Sequence, residues 1–296
     1  MAGSADPAAA CLANAALALN VLFGDADEAL RCAREAVRIA EGRGRLLHSL
    51  SRLIMVVVTR GEMGLPVYAP FLAQATELAD RSGDLALRFQ IRSNQGVYFL
   101  DSGDTDRAER AFESAGALLS GADASILRIS HFCNMGELEL VRRDFSQAWN
   151  WFQEAHGVLG PGIPAFYEKL VAAGLGLCAL EMGAFAEARA RETQVDLNNG
   201  FLYYDPFIIL LFRSRLHERQ GSISKAISTL EEKRLLLKQR FPLAWLRLEL
   251  RRAALASRGG QEIDHAELTC AIAVAERLGL SQLSRELDGF VTARRA

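Results

Sequence analysis

The chain has 296 residues, of which 50% are hydrophobic and 24% charged, enough apolar content to fill a sizeable core and to exclude a disordered chain. Its 34 Lys and Arg against 36 Asp and Glu leave a net charge of -2; without an excess positive field to neutralise phosphates, direct nucleic-acid binding is not expected. No apolar run approaches the roughly 18 residues a bilayer span needs, and Met1 to Ala10 has no basic stretch ahead of an apolar one, so a membrane partner is not expected and the expected location is cytoplasmic.

The elements follow from an internal repeat. Alanines after a short polar turn recur at Ala29, Ala69, Ala108, Ala148, Ala188, Ala226 and Ala266, with steps of 38 to 40 residues. Four positions on stand Ala33, Ala73, Phe112, Phe152, Glu192, Leu230 and Cys270. Seven positions on stand Ala36, Thr76, Ala115, Ala155, Val195, Lys233 and Ala273. Offsets of four and seven mark one stripe of an α-helix, the buried face of the second helix in each unit. Twelve residues before the alanine, three successive units place Gly96, Gly136 and Gly176, and the next places Ser214. Upstream apolar residues at helical spacing, such as Leu170, Leu177 and Leu180, mark a first helix. Between the helices lie turns such as Ser102-Gly103-Asp104, Arg143-Asp144-Phe145, Met182-Gly183-Ala184 and Gln220-Gly221-Ser222. Glycine there supplies a left-handed C-cap, and the following Asp or Ser accepts from the free N–H groups that open the second helix. The small residues let the two helices approach, and Phe112 or Phe152 fills the space toward the next hairpin.

The units are therefore helical hairpins over approximately 10–44, 45–84, 85–124, 125–164, 165–203, 204–241 and 242–279, with a capping helix over 280–294, in one domain of 1–296. Single hairpins cannot bury their faces alone, so the fold class expected is an all-α solenoid with nearest-neighbour energetics. The only β-branched run, Val56-Val57-Val58, sits inside an amphipathic helix.

Gly, then Ala twelve residues later, then an aromatic and a second Ala, resembles the tetratricopeptide (TPR) repeat across nearly the whole chain, most specifically from Arg92 to Ala188. The resemblance implies a right-handed superhelix. The period of about 40 departs from the standard 34 and approaches HEAT repeats, the runner-up fold. The long-helix variant is similar to the sensor arm of bacterial LuxR-type ATP-dependent regulators of the maltose-activator kind. That similarity implies a sensor or scaffold arm in signalling or transcription regulation, attached in a longer parent chain to NTPase or helix-turn-helix domains; no Walker-type phosphate loop is present in this sequence. The alternatives are a free-standing peptide-pheromone receptor or adaptor and, from another class, an all-helical enzyme domain with a central acid/base pocket.

The resemblance also places binding on first helices, with a protein, a peptide or a small polar ligand as partner. Mapped onto this chain, the groove positions are His48, Ser51 and Arg52; Gln90, Ser93, Asn94 and Val97; Cys133, Asn134 and Glu137; Leu211, Arg215 and Glu218. Of these, Gln90, Ser93, Asn94, Asn134, Glu137, Arg215 and Glu218 are the main candidates. Asn94-Gln95-Gly96 and Asn134-Met135-Gly136 repeat the same element one period apart, and a structural hydrogen bond weighs more for these asparagines than ligand contact. Of the Lys/Asn/Arg ladder with which some family members grip a peptide carboxylate, only Arg215 has a counterpart. Tyr203 and Tyr204, beside Asn198-Asn199-Gly200 and Pro206, make a second docking patch.

Chemistry has little footing. The acid pairs Asp25/Asp27 and Asp104/Asp106 read as helix-dipole partners, and Arg34/Arg38 and Arg251/Arg252 as solvated faces. Cys11, Cys32, Cys133, Cys178 and Cys270 are scattered through apolar helical patterns and read as core residues. His48, His131, His156, His217 and His265 have no ligand spacing. No catalytic group, metal or cofactor is expected, and the chain is not expected to be an enzyme.

Overall fold

Helices open and close where the sequence punctuates them. The computed structural model describes residues 9, 12–13, 26–41, 46, 49–50, 65–120, 124–195, 206–240 and 242–292. In chain order these contain α1 (Ala26–Ala40), α2 (Leu65–Ser82), α3 (Leu85–Asp101), α4 (Thr105–Gly116), α5 (Ser125–Arg142), α6 (Phe145–Val158) and α7 (Ala165–Glu181). There follow α8 (Phe185–Arg191), α9 (Phe207–Arg219), α10 (Ile223–Glu231), α11 (Arg234–Arg240), α12 (Pro242–Arg258), α13 (His265–Arg277) and α14 (Ser281–Thr292). Two 3-10 turns, Ala117–Leu119 and Glu192–Gln194, extend α4 and α8. The described residues contain no strand, and the expected all-α hairpin repeat is the fold that this chain adopts.

Each first helix stops in the same way. Gly103, Gly183 and Gly221 take left-handed backbones with φ 83°, 82° and 76°, and Arg143, the one non-glycine with positive φ among the described residues, takes φ 64° at the equivalent place. The N–H of the next residue then reaches back to the last turn: Asp104 to the Phe99 carbonyl at 2.9 Å, Asp144 to Glu139 at 3.0 Å and Ala184 to Ala179 at 2.8 Å. This is the Schellman closure, which uses carbonyls a helix end would otherwise leave unpaired. Asp104 and Asp144 also cap the second helices, accepting from the N–H of Arg107 and of Gln147, both at 3.0 Å. Ser222 stands at the same position and makes no such bond, contrary to the expectation for Ser at this turn.

The residue four after the cap is the buried one. Ala108, Ala148, Ala188 and Ala226 are fully enclosed, each four positions beyond Asp104, Asp144, Ala184 and Ser222. In the last hairpin the loop is longer and Asp264 is the cap, accepting from Glu267 N–H at 3.0 Å. Leu268, Ala271 and Ala275 are buried, while Ala266 and Ala273 of the expected stripe are exposed. The stripe of α2 is likewise displaced: Leu72, Ala75 and Ala79 are buried and Ala73 is exposed. In the last hairpin register is counted from the cap, so its longer loop shifts the stripe against a fixed period.

Up to Asn134 the described residues form one compact unit, and from Met135 onward a second, the division falling within α5. In the first unit α3 packs on α2 and α4. A Cβ at Gly96 would stand 2.3 Å from the Phe112 ring, so the glycine faces the aromatic of its own hairpin. Phe89, Ala115 and Leu119 form a core closed by Leu118 and Leu127.

In the second unit α7 is the centre, with every residue from Leu170 to Leu180 buried. Two glycines make room on it. A Cβ at Gly174 would meet the Phe152 ring from α6 at 2.6 Å, and one at Gly176 would meet the Phe212 ring from α9 at 2.4 Å. First helices therefore pack in sequence, α7 on α9 and α9 on α12, with α8, α10 and α13 as their second helices and α14 closing on α12 and α13. Trp245, 1% exposed, anchors α12.

Candidate functional site

The candidate residues on the first helices fall in two groups, one in each unit. In the first unit Gln90, Asn94 and Val97 are half-buried on α3 and Ser93 is buried. Asn134 donates through Nδ2 to the Ser93 hydroxyl at 2.7 Å, a tie between α3 and α5. Asn94, one period earlier in the same element, has a buried Nδ2 with no hydrogen-bond partner. Cys133 is enclosed in the core. His48, Ser51, Arg52, Tyr203 and Tyr204 lie outside the described residues.

In the second unit Glu137 and Leu211 are half-buried, and Arg215 and Glu218 belong to a ladder of ion pairs. Arg215 on α9 forms an ion pair with Glu181 on α7, its Nη1 2.8 Å from Oε1, and Arg219 lies 3.9 Å from the other oxygen of Glu181. One step on, Glu218 on α9 is paired by Arg251 of α12, and Arg258 of α12 places Nη1 2.5 Å from Glu218 Oε1. Each carboxylate is thus shared by two guanidiniums, one inner and one outer. Burial works against the Glu218 carboxylate, but the hydrogen bonds and charges of Arg251 and Arg258 outweigh it and hold the group below the usual carboxylate range. Arg251 is pushed below the usual arginine range, chiefly by burial and further by the like charges of Arg215 and Arg258.

These pairings correct the reading of Arg251/Arg252 as a solvated face. Arg252 is 7% exposed and donates Nε to Glu249 Oε2 at 2.8 Å. Glu249, also buried, accepts from Trp245 Nε1 at 3.2 Å and is paired by Arg234 of α11. Lys238 of α11 reaches Glu267 of α13 at 2.8 Å, so the extra short helix α11 is fastened to the last hairpin by charge. Two adjacent arginines look the same in sequence whether water or a carboxylate some 30 residues away receives them. The signal that identifies the ladder partners Glu181, Arg219 and Arg258 is an opposite charge recurring at nearly the repeat period on first helices.

Among the described residues no group of three or more His, Cys, Asp and Glu is placed to hold a metal ion. Cys178 is enclosed on α7, and burial raises its thiol to about 12, which suppresses the nucleophilic thiolate at neutral pH. Among the described residues no helix is long and apolar enough to cross a membrane.

No protein-family model matches the sequence, and no curated protein matches it. Solved structures do. The chain is similar to a Rap protein crystallised with Competence and Sporulation Factor, with a TM-score of 0.62 at 12% identity over 96% of this chain and 79% of that one. It is similar to a tetratricopeptide repeat protein from Parabacteroides merdae, with a TM-score of 0.51 at 13% identity over 96% of this chain and 99% of that one. A STAND signal-transduction ATPase with a tetratricopeptide repeat sensor, from Pyrococcus horikoshii, matches with a TM-score of 0.53 at 12% identity over 97% of this chain and 44% of that one. With hairpins closed by left-handed turns and packed glycine against aromatic, these likenesses show that the chain has the tetratricopeptide-repeat fold.

Proposed function

We propose that the chain is a non-enzymatic protein- or peptide-binding repeat domain that engages its partner through first helices and serves as a sensor or scaffold arm of a bacterial signalling or transcription regulator in the cytoplasm. The observation that carries this reading is the concentration of ionised, partly exposed side chains on α7, α9 and α12, where a repeat fold offers successive helices to one extended ligand. Gln90, Asn94, Asn134, Glu137, Arg215 and Glu218 are the proposed contact positions. The similar Rap structure contains Competence and Sporulation Factor, and the similar STAND protein carries its repeats as a sensor; both support the reading.

The second reading is a free-standing peptide receptor or adaptor, favoured by the greater similarity to the Rap structure. An NTPase or helix-turn-helix segment in frame in the parent coding sequence supports the arm and opposes the free-standing receptor. Affinity capture on the purified chain, followed by cross-linking mass spectrometry, tests the binding surface. Cross-links concentrated on α3, α5, α7, α9 and α12 are expected; cross-links confined to second helices overturn the proposal.

A further inference from the structure

We infer that the first-helix side of α9 and α12 receives the anionic groups of an extended peptide ligand, with Arg219 and Arg258 as the contacting residues. The inference rests on the proposed binding role of that side and adds the chemistry of what is bound.

Four guanidiniums, Arg215, Arg219, Arg251 and Arg258, share two carboxylates, Glu181 and Glu218. The cluster therefore carries two positive charges that its own acids do not neutralise. Those charges fall on the outer pair. Arg219 and Arg258 are 56% and 54% exposed, while their acids are 15% exposed and already engaged by Arg215 and Arg251. Arg219 stands 3.9 Å from Glu181, beyond hydrogen-bond reach. Arg258 spends Nη1 on Glu218 and Nε on the Ala254 carbonyl. A guanidinium has five donors in a planar fork suited to bidentate carboxylate or phosphoryl oxygens. Deeper in the cluster, Nε of Arg215 and of Arg251 are buried without an acceptor. The like charges of Arg215 and Arg258 also weaken the protonated form of Arg251. An incoming anion relieves that repulsion as well as filling the outer forks.

The spacing adds a constraint. Arg219 and Arg258 are the last residues of α9 and α12, two first helices packed directly on one another. Packed helices lie about 8–10 Å apart, and an extended peptide in the polyproline II conformation advances about 3.1 Å per residue and returns every third side chain to the same face. Anionic side chains three residues apart on an extended segment therefore match successive arginines.

Fluorescence anisotropy on the full chain, with four labelled ten-residue peptides, tests this. Each carries Glu, phosphoserine, Gln or Lys at every third position in a Gly/Ser background. The Glu or the phosphoserine peptide is expected to bind at least about tenfold more tightly than the Gln and Lys peptides, weakening as salt rises. Binding of the Glu peptide assigns carboxylate as a source, and binding of the phosphoserine peptide alone assigns phosphoryl. The double variant Arg219→Ala/Arg258→Ala is expected to lose at least about tenfold in that affinity with its thermal midpoint unchanged, because exposed pairs contribute little to stability. Equal affinity for the Gln and both anionic peptides, or unchanged affinity in the double variant, overturns the inference. A partner captured on the first helices through a neutral or basic segment also overturns it while leaving the binding role standing; a partner confined to second helices removes both.

Discussion

Gly136 stands where the ring of Phe152 passes: a Cβ there would lie 2.8 Å from the ring carbons. The same ring is met by a Cβ at Gly174 at 2.6 Å, so one phenyl occupies the space that two glycines leave on successive first helices. Alanine is the better helix former by about 1 kcal/mol, yet Gly136→Ala must displace an enclosed ring. It is expected to cost about 1–3 kcal/mol net. Gly157→Ala on the exposed face of α6, where a Cβ meets nothing within 4 Å, is expected to gain about 0.5–1 kcal/mol. Urea midpoints of the two variants moving in the same direction would contradict the packing described.

Arg143 holds the left-handed turn that glycine holds in neighbouring hairpins. A side chain there carries a steric penalty that glycine escapes, against a modest gain in unfolded-chain entropy for glycine. Arg143→Gly is expected to raise stability by about 0.5–1 kcal/mol. Gly103→Arg, the reciprocal change, is expected to lower it by a similar amount, and thermal midpoints check both.

Two buried serines have opposite roles. Ser93 accepts the Asn134 amide, so Ser93→Ala strands a donor and is expected to cost about 1–2 kcal/mol. Ser214 is fully enclosed on α9, and its hydroxyl has no partner. Ser214→Ala removes an unpaired polar group and is expected to be neutral or to gain up to about 1 kcal/mol. Chemical denaturation of both variants at pH 7 decides it, and a clear loss for Ser214→Ala would place an acceptor or a water at that hydroxyl.

Glu218 is expected to make stability fall with acid. Its folded-state pKa is held below the ordinary 4.5 because the Arg251 and Arg258 contacts outweigh burial. The paired carboxylate therefore contributes fully above the unfolded value, and the contribution is lost as pH drops through the lower folded value. Glu218→Gln leaves Arg251 enclosed without its counter-charge and is expected to cost about 2–3 kcal/mol at pH 7. The difference between wild type and variant is expected to shrink on titration from pH 6 toward pH 3. A difference that stays constant would show that the carboxylate charge is not what stabilises α9 on α12.

Local rules were legible because they are written in adjacent residues. Asp104 before Ala108, and Asp144 before Ala148, show both the start of a second helix and its buried slot. A fixed period puts Ala266 in the buried stripe, whereas counting from the cap Asp264 puts Leu268 there. The glycines that admit Phe112, Phe152 and Phe212 were visible as small residues, but the ring that each one faces depends on helix packing, which adjacent residues do not record. Charge was least legible. Glu181, Arg215, Glu218, Arg251 and Arg258 are brought together from three helices, and each alone resembles an ordinary polar surface residue. The Asn-x-Gly pair shows the same limit: the shared element gives Asn134 a partner and leaves the Asn94 amide nitrogen without one.

The last hairpin inserts Gln261, Glu262 and Ile263 between its left-handed glycine and its cap, Asp264, yet Leu268 still lands in the slot that alanine fills elsewhere. Insertions and deletions at hairpin turns are therefore absorbed before the next helix begins and do not propagate into the core. A comparison of this chain with itself at constant period loses its place at such a turn although the architecture has not changed. What the units hold in common is a distance from cap to core, and their lengths are free to drift around it.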